Sequence, residues 1–481
     1  MNFFVNKAMG HGNSGVEHAQ FYRAKIFREI KLPFKLIFTS LLPELHIHMK
    51  EWGLAEDEVI NIFDFFMSSD PMSYLRKGIT HVPQETTTEI LWDLSNTQRI
   101  INRQTSSDFK ITALRNKKFS KKDDIYIVGD SRVILKNEQR EMSWLVDEDN
   151  NMVDIRLFNF MGRDYYYENF HKLLEVFFEL LNQEFSENIY ILDRGIENEE
   201  VLTNLKQKRN NFKIINIVHA AHLVEQQGKH MLWNNHYEYM FGHLDEIDHV
   251  IVATKLQRDA VIKNLSQIGV DAKNKIVSIP VGGVDRLLPV KRINLKKVQL
   301  VTVSRLHEEK HIDQIIEAIK KLNENDIEVQ LDIFGAGGEK EKLQQLIDDL
   351  QLESNVQLKG LSQNVVDDIK GYDAFIGASY SEGFGLTFIE AISDSIPIVS
   401  YDNLYGAQEL IRDNFNGILV PFEVENSKRE QNIINLSNGI KKVIENHDLL
   451  AEGAHHIGEI YASNKIAQKW KGLLVWENEE N

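Results

Sequence analysis

Short runs rich in Ile and Val alternate with longer segments of helical period along most of this chain of 481 residues. The alternation is typical of βαβ units, in which a helix connects two parallel strands of one sheet. It occurs in residues 1–83 and 166–285 and again in residues 286–462. We therefore predict an α/β protein with two doubly wound, Rossmann-like domains that face each other across one cleft. The strands expected on this basis are residues 2–5, 34–39, 189–192, 214–218, 249–253 and 276–279 in the first domain and 299–303, 329–334 and 374–378 in the second.

Residues 84–165 break this rhythm, because their apolar residues follow a period closer to two. The Asp and Asn cluster at residues 147–151 lies between two such runs and is typical of a hairpin turn. We predict an antiparallel β-sheet inserted into the first domain. Residues 463–481 are expected to form a C-terminal helix that crosses back to the first domain.

The charge of the chain is uneven. Its net charge is −17, whereas the segment from Arg99 to Arg140 carries 11 Lys and Arg against five Asp and Glu. The acidic whole argues against a nonspecific nucleic-acid binder, since such binding depends on clustered Lys and Arg. The basic segment fits either a solvated sheet face or a surface that recruits an acidic partner or acceptor.

The chain contains no cysteine. This excludes a disulfide framework, a thiolate zinc site and a cysteine nucleophile, and it points to a reducing compartment. No run approaches the roughly 20 apolar residues of a membrane span, and no secretory signal is visible at the N-terminus. We therefore expect a cytoplasmic protein, with a peripheral position at the inner face of the cell membrane left open.

The first candidate site is Gly10-His-Gly-Asn-Ser-Gly15, a G-x-G-x-x-G pattern between a predicted strand and a predicted helix. Glycines there let the backbone approach a phosphate, and the N–H groups that start the helix attract negative charge. A tight turn without a ligand is the alternative. An NAD-dependent oxidoreductase is disfavoured, because it would place an acid after the next strand, where this chain has Phe38-Thr-Ser40.

The second candidate site is the pair Arg305 and Lys310, directly after the first predicted strand of the second domain. A guanidinium and an ammonium at the carboxyl end of a strand can neutralise a diphosphate, Arg as a bidentate fork and Lys as a point charge. Either residue alone would be ordinary surface charge. Together they indicate a diphosphate site.

The third candidate site is a glycine loop between two acids, Glu382 and Glu390, that opens a helix. The loop directs the backbone amides of Gly385, Leu386 and Thr387 at an anion. Carboxylates bind sugar hydroxyls by accepting hydrogen bonds from them. The pattern therefore favours a ligand that carries both phosphate and sugar.

This E-x7-E element, with the upstream Arg and Lys and the N-terminal glycine loop, resembles the retaining glycosyltransferases of the GT-B fold, family 4 type. The similarity covers nearly the whole chain. Five further segments resemble the bacterial enzymes that O-glycosylate serine-rich or Ser-Asp repeat adhesins, and more distantly the wall teichoic acid glycosyltransferases, which also carry a β-sheet insertion. These segments are Ser14–Gln20, Ile191–Arg194, Val218–His219, Leu232–Tyr239 and Glu309–Asp313.

The resemblance implies a UDP-sugar donor, most often UDP-N-acetylglucosamine with UDP-glucose as the other choice, and an acceptor Ser or Thr hydroxyl. It assigns the acceptor to the first domain, the nucleotide sugar to the second, and acceptor binding or oligomerisation to the inserted sheet. It also implies a role for each candidate residue. Arg305 and Lys310 would hold the diphosphate, and Ser14, Gly15, Gly385, Leu386 and Thr387 would add contacts to the donor. Glu390 would bind the ribose, Glu382 would orient the transferred sugar, His219 would approach its 6-hydroxyl, and Gly335 would lie near the uracil.

The same family usually retains configuration by front-face attack, so we expect no catalytic nucleophile. We expect no cofactor and no metal, because Arg and Lys take the diphosphate charge. A D-x-D sequence could suggest the metal-dependent fold class of glycosyltransferases. The D-x-D match in this chain, Asp147-Glu-Asp149, falls in the predicted hairpin turn. Two alternatives stay open, a polyol-phosphate teichoic acid glycosyltransferase and a non-catalytic partner that recognises the acceptor. We also expect a homo-oligomer, or a complex with a related subunit, formed through the inserted sheet.

Overall fold

The computed structural model describes residues 1–12, 14–92, 98–120, 124–228, 230–295, 298–362 and 364–475. The chain divides into two compact units. The first contains Met1–Ile217 and Asn235–Val250, and the second contains Val218–Asn234 and Ile251–Asn481. The domain boundaries expected from the sequence stay predictions.

The strands in chain order are β1 (Asn2–Asn6), β2 (Phe34–Phe38), β3 (Val59–Asn61), β4 (Thr87–Trp92), β5 (Gln98–Gln104), β6 (Lys110–Ser120), β7 (Ile125–Lys136), β8 (Glu141–Val146), β9 (Met152–Phe160), β10 (Arg163–Asn169), β11 (Asn188–Leu192), β12 (Phe212–Val218), β13 (Leu223–Gln227), β14 (His230–Trp233), β15 (His249–Val252), β16 (Ile276–Ser278), β17 (Val298–Val303), β18 (Val329–Phe334), β19 (Val356–Gly360), β20 (Ala374–Gly377), β21 (Ile398–Tyr401) and β22 (Gly417–Val420). All nine strands expected from the sequence are present, with ends within two residues of the expected positions.

The helices in chain order are α1 (Gly15–Glu29), α2 (Leu45–Glu51), α3 (Ile62–Met67), α4 (Pro71–Lys77), α5 (Phe170–Glu184), α6 (Ile196–Lys208), α7 (Glu238–Gly242), α8 (Lys255–Gln267), α9 (Ile312–Glu324), α10 (Lys340–Asp349), α11 (Val365–Asp368), α12 (Leu386–Ser393), α13 (Gly406–Leu410), α14 (Arg429–Glu445), α15 (His447–Ile460) and α16 (Ser463–Val475). The expected C-terminal helix is α16, and residues 476–481 lie outside the described residues. None of the helices in the described ranges is long and apolar enough to cross a membrane.

The first unit contains a parallel sheet in the strand order β15-β12-β11-β1-β2-β3. The connections from β1 to β2 and β3 run to one side of β1, and β11, β12 and β15 lie on the other side. Helix α1 is capped by Ser14, whose hydroxyl accepts a hydrogen bond from Val16 N. Its apolar face packs on the sheet, with Phe27 against Phe4 at 5.0 Å between ring centroids. The order reverses between β1 and β11, which makes this edge the expected ligand-binding edge.

The antiparallel sheet expected at residues 84–165 is present as a meander in the order β10-β9-β8-β7-β6-β5-β4. It packs on helix α3, where Phe63 meets Trp144 at 5.7 Å and Phe66 meets Phe160 at 5.1 Å between ring centroids. The hairpin turn after β8 is also confirmed, since Asp147 Oδ1 accepts a hydrogen bond of 2.7 Å from Asn151 N.

The basic segment lies on β5, β6 and β7 of this sheet. Lys118 Nζ donates to the backbone oxygens of Val146 and Asp147, and Lys117 lies 5.0 Å from the ring centroid of Tyr126. Lys121 and Lys122 lie outside the described residues. A solvated face and a recruiting surface are both compatible with these contacts.

The second unit contains a parallel sheet in the order β19-β18-β17-β20-β21-β22. Helices α9 and α14 pack against each other, and Ile316, Ile319, Leu436 and Ile440 are fully buried in the core of this unit. The strand order reverses between β17 and β20. The loops after these two strands are therefore the expected ligand-binding loops of this unit.

Candidate functional site

The point where the strand order reverses in the second unit is occupied by an ion pair. Lys310 ends a short 3-10 helix after β17, and Glu382 lies in the loop after β20. Lys310 Nζ donates a hydrogen bond of 3.0 Å to Glu382 Oε2, and the two side chains are 18% and 26% exposed. The structure thus brings the second and third candidate motifs together at one partly buried position.

The loop that carries Lys310 is held by the glycine loop after β18. Leu306 N donates to Ala336 O at 2.9 Å, and Glu339 N donates to Leu306 O at 3.1 Å. Gly335 has a φ of +150°, and a Cβ there would lie 1.9 Å from Ser304 O. Only glycine fits such a backbone approach. Gly335 therefore has a structural reason to be glycine, and its contact with a uracil stays a proposal.

Arg305 lies on the exposed side of the same loop. Its side chain is 66% exposed and pairs with Glu309 at 2.7 Å, four residues along the chain. An exposed ion pair contributes little free energy, typically about 0.2–1 kcal/mol. The guanidinium can therefore exchange Glu309 for a more highly charged anion at small cost.

The glycine loop after β20 contacts the segment that carries His219. A Cβ on Gly383 would lie 2.4 Å from His219 O and 3.3 Å from Ala220 Cα. Both segments belong to the second unit. His219 therefore lies beside the Glu382 loop and contacts it through its backbone. Its approach to the 6-hydroxyl of a sugar stays a prediction.

Helix α12 starts from the same loop without a side-chain cap. Gly385 adopts a φ of +85° at the N-cap position, so it provides no capping oxygen. The amides of Leu386 and Thr387 occupy the first two helical positions, which have no acceptor within a helix. These amides and the positive end of the helix dipole favour an anion at this position.

Glu390 lies about one turn into α12 and is half-buried. Its Oε2 atom has no hydrogen-bond partner and no exposed surface. Burial raises the pKa of this carboxyl to about 8 from its ordinary value of 4.5. A buried acceptor without a donor is costly in a folded protein. Hydroxyl groups of a ligand would supply the missing donors.

Two residues that support this loop were missed in the sequence. Tyr405 N donates to Glu382 O at 2.8 Å, and the Tyr405 ring stacks on buried His222 at 5.8 Å between centroids. His222 is held in turn by Asn264 at 3.0 Å. The sequence offers one signal for this contact, the pair Tyr405 and Gly406 after an apolar strand. The structure explains the glycine, because a Cβ on Gly406 would lie 2.3 Å from Phe384 O.

The N-terminal motif belongs to the first unit. Ser14 forms a capping box with Glu17, whose Oε2 accepts hydrogen bonds from Ser14 N at 2.7 Å and Ser14 Oγ at 2.6 Å. Gly15 is the first residue of α1. A Cβ on Gly10 or Gly12 would meet no atom within 4 Å, so packing within the protein does not require glycine there. Asn13 lies outside the described residues.

The D-x-D sequence is part of the hairpin turn after β8. Asp147 accepts hydrogen bonds from the amides of Asp149 at 2.9 Å and Asn151 at 2.7 Å. Its oxygens are thus used by the turn itself. Across the described ranges, no group of three or more His, Asp or Glu side chains is arranged to hold a metal ion. A metal-independent reaction stays a prediction.

Comparison with known families and proteins gives a consistent result. The family described as Glycosyl transferases group 1 matches residues 284–458. The chain is 30% identical to the UDP-N-acetylglucosamine–peptide N-acetylglucosaminyltransferase GtfA subunit of Limosilactobacillus reuteri subsp. suis, over 98% of each chain. It is 29% identical to a poly(ribitol-phosphate) alpha-N-acetylglucosaminyltransferase of Staphylococcus aureus, over 49% of this chain and 46% of that protein.

Among solved structures, the chain is similar to the pneumococcal O-GlcNAc transferase GtfA in complex with UDP and GlcNAc. The TM-score is 0.80, the sequence identity is 24%, and the similarity covers 98% of each chain. This similarity confirms the expected GT-B class, with parallel sheets and an additional antiparallel sheet.

Proposed function

The chain belongs to the family of the GtfA subunits of UDP-N-acetylglucosamine–peptide N-acetylglucosaminyltransferases, and from this premise we propose a retaining transfer of N-acetylglucosamine to Ser or Thr hydroxyls. The donor is UDP-N-acetylglucosamine, and the acceptor is a repeat-rich bacterial surface adhesin. The observation that supports the proposal most directly is the Lys310–Glu382 pair at the strand-order reversal, followed on α12 by the unpartnered Glu390 oxygen.

In the proposed reaction, the bond between the anomeric carbon and the diphosphate breaks while a bond to the acceptor oxygen forms on the same face. The acceptor proton passes to a phosphate oxygen of the departing UDP. Negative charge therefore builds up on the diphosphate, and preorganised cations lower the barrier most where charge develops. Lys310 and Arg305 supply those cations, and the amides of Leu386 and Thr387 add donors.

In the ligand-free enzyme, Lys310 and Glu382 satisfy each other by forming an ion pair. When a diphosphate takes the Lys310 ammonium, Glu382 is released to accept hydrogen bonds from the transferred sugar. His219 lies on the segment against this loop, where we assign it to the 6-hydroxyl. Ser14, Gly15, Gly335 and Gly385 complete the proposed donor contacts. Of these four, Gly335 and Gly385 have left-handed or strained backbone in the structure.

Replacing Gly383 by alanine should lower kcat by about 10–100-fold. The new Cβ would lie 2.4 Å from His219 O, so the loop that carries Glu382 has to move by about 1 Å, and misplacements of that size are costly in catalysis. Steady-state transfer assays measure the effect. Gly242→Ala is the matched control, because a Cβ at Gly242 meets no atom within 4 Å. Equal kcat values for both variants would contradict the proposed role of the loop.

Replacing Glu390 by glutamine should stabilise the ligand-free protein at pH 8. The folded-state pKa of about 8 exceeds the ordinary 4.5, so the native state binds more protons, and its stability falls as the pH rises from 4.5 to 8. The amide does not titrate. We expect a gain on the order of 4 kcal/mol at pH 8 and little change at pH 4.5.

Urea unfolding at the two pH values measures this change, and Glu452→Gln on α15 serves as an exposed control. The Glu390→Gln variant should also lose most of the rise in Tm that UDP produces, because a neutral amide accepts hydrogen bonds from ribose hydroxyls more weakly than a carboxylate. A variant whose stability follows the native pH profile would mean that Glu390 is not the group that titrates.

Two alternatives use the same fold. A teichoic acid glycosyltransferase is supported by the partial similarity to the Staphylococcus aureus protein. A non-catalytic partner is opposed by the sequence, which keeps Arg305, Lys310, Glu382 and Glu390 together. The relative is named as a subunit, and we propose a cytoplasmic assembly with a second copy or a related subunit through the inserted sheet.

Incubation of the purified protein with a Ser-Asp repeat peptide and either UDP-N-acetylglucosamine or UDP-glucose tests the proposal. Mass spectrometry should detect addition of N-acetylglucosamine to the peptide. A polyribitol-phosphate polymer is the parallel acceptor. If the polymer were modified and the peptide were not, the polymer would replace the peptide as the proposed acceptor. If only glucose were added, UDP-glucose would replace UDP-N-acetylglucosamine as the proposed donor.

A further inference from the structure

The first unit contains a pocket of about 230 Å³ at the carboxyl ends of β1, β11 and β12. Lys7 follows β1, Arg194 and Glu199 follow β11, and Asn216 lies near the end of β12. The strand order of this sheet reverses between β1 and β11. Open α/β sheets bind ligands at such a reversal, outside the carboxyl ends of the strands. All residues that line this pocket belong to the first unit.

The floor of the pocket holds a polar side chain with one atom that lacks a hydrogen-bond partner. Asn216 is 6% exposed, and its Nδ2 group donates to Glu199 Oε1. Its Oδ1 atom is buried and accepts no hydrogen bond. Glu199 is 5% exposed, and burial raises its pKa to about 7. Two buried polar groups therefore face a cavity in which one acceptor atom still needs a donor.

The rim of the pocket carries an available cation. Lys7 and Glu197 pair with each other at 2.9 Å, and Asp193 is held by Arg23. Arg194 is exposed and forms no ion pair with any residue in the described ranges. Its guanidinium is suited to a carboxylate, which it can bind through two parallel hydrogen bonds.

We propose that this pocket is a subsite for the acceptor polypeptide, in which a hydroxyl or amide of the acceptor donates to Asn216 Oδ1 and a neighbouring acidic side chain binds Arg194. This inference rests on the proposed function, since it assumes a polypeptide acceptor. The volume of about 230 Å³ is smaller than the roughly 300–1,000 Å³ of most small-molecule sites, so the pocket fits one or two short residues of a polypeptide and not a whole nucleotide sugar. Arg194 and Asn216 are thus specificity-determining residues for the acceptor.

The decisive experiment is a double-mutant cycle between Arg194 and the acidic residue of the acceptor. The native enzyme and the Arg194→Ala variant are each assayed with a Ser-Asp repeat peptide and with the matching Ser-Asn peptide. We expect the variant to raise the KM for the Ser-Asp peptide about tenfold and the KM for the Ser-Asn peptide less than about twofold, with kcat unchanged. Arg209→Ala, at the opposite end of α6, is the control.

A second variant, Asn216→Leu, replaces the unpartnered acceptor by an apolar group of similar volume. It should raise the KM for both peptides about tenfold, and it should leave the UDP-induced shift in Tm unchanged. If Asn216→Leu does not fold, the Arg194 cycle still decides the question. Unchanged KM values in the variants that fold, or an equal change for both peptides with Arg194→Ala, would overturn the inference.

Direct binding separates this inference from the proposed function. Fluorescence anisotropy of a labelled Ser-Asp peptide, measured without a donor, should show tenfold weaker binding to Arg194→Ala than to the native protein. A native protein that binds the peptide through Arg194 but transfers no sugar would contradict the proposed function and keep the subsite. A protein that transfers sugar with no dependence on Arg194 or Asn216 would keep the function and remove the subsite.

Discussion

Replacing Lys310 by alanine is expected to lower kcat for sugar transfer by about 10²–10³-fold. Lys310 is 18% exposed and lies at the strand-order reversal of the second unit, where its ammonium would face the departing diphosphate. Removal of one preorganised group at a site of developing charge usually costs this much in kcat. The substitution also leaves Glu382 without its cation, so diphosphate would approach a bare carboxylate. Affinity for UDP should fall as well.

Single-turnover transfer assays and UDP titration calorimetry measure the two effects of Lys310→Ala. Lys342→Ala is the matched control, because Lys342 pairs with Glu339 at 2.8 Å but is 76% exposed on α10. Thermal unfolding monitors the fold of both variants. If Lys310→Ala kept more than about a tenth of native kcat, the diphosphate site would have to lie elsewhere.

Replacing Glu382 by glutamine should also lower kcat by about 10²–10³-fold, but with the opposite effect on UDP. The amide keeps the shape of the side chain and can still accept a hydrogen bond from Lys310. It loses the charge that strengthens hydrogen bonds to the sugar hydroxyls. UDP should bind several-fold more tightly, because a carboxylate no longer competes with the diphosphate for Lys310.

A lower kcat together with tighter UDP binding distinguishes Glu382 from a residue that only maintains the fold. Calorimetry with UDP and transfer kinetics are measured on the same preparation, and Glu339→Gln, the partner of Lys342, is the control. Weaker binding of UDP together with the loss of kcat would indicate a disturbed loop and would contradict the proposed exchange of partners.

Much of the secondary structure could be predicted from local pattern. The nine expected strands are buried runs of Ile, Val and Phe, and parallel strands covered on both faces have this composition. Strands β3, β13, β14, β19, β21 and β22 were missed. The β19 sequence mixes Gln and Lys with apolar residues. Strands β21 and β22 are four residues long, no shorter than the predicted β15 and β20, so their length does not explain why they were missed. Short runs of this kind become strands through pairing with neighbours in the sheet.

The candidate residues of the second unit could likewise be named from the sequence. Glycines, acids and cations follow predicted strands, where the chemistry of diphosphate and sugar hydroxyls requires them. Their partners could not be named. Arg305 pairs with Glu309 and Lys310 pairs with Glu382, and nothing in the local spacing distinguishes these two cations.

The sequence by itself determined the α/β class, the inserted antiparallel sheet and the residue types of the site, because these depend on periodicity and on side-chain chemistry. Only the tertiary structure decided which distant residues meet. Lys310 and Glu382 are 72 residues apart, and they meet because β17 and β20 are neighbours in the sheet. The contact of Gly383 with the backbone of His219 and the missing donor at Asn216 Oδ1 are likewise tertiary facts that local spacing does not show. Strand order is set by packing summed over the whole unit, which no local spacing records.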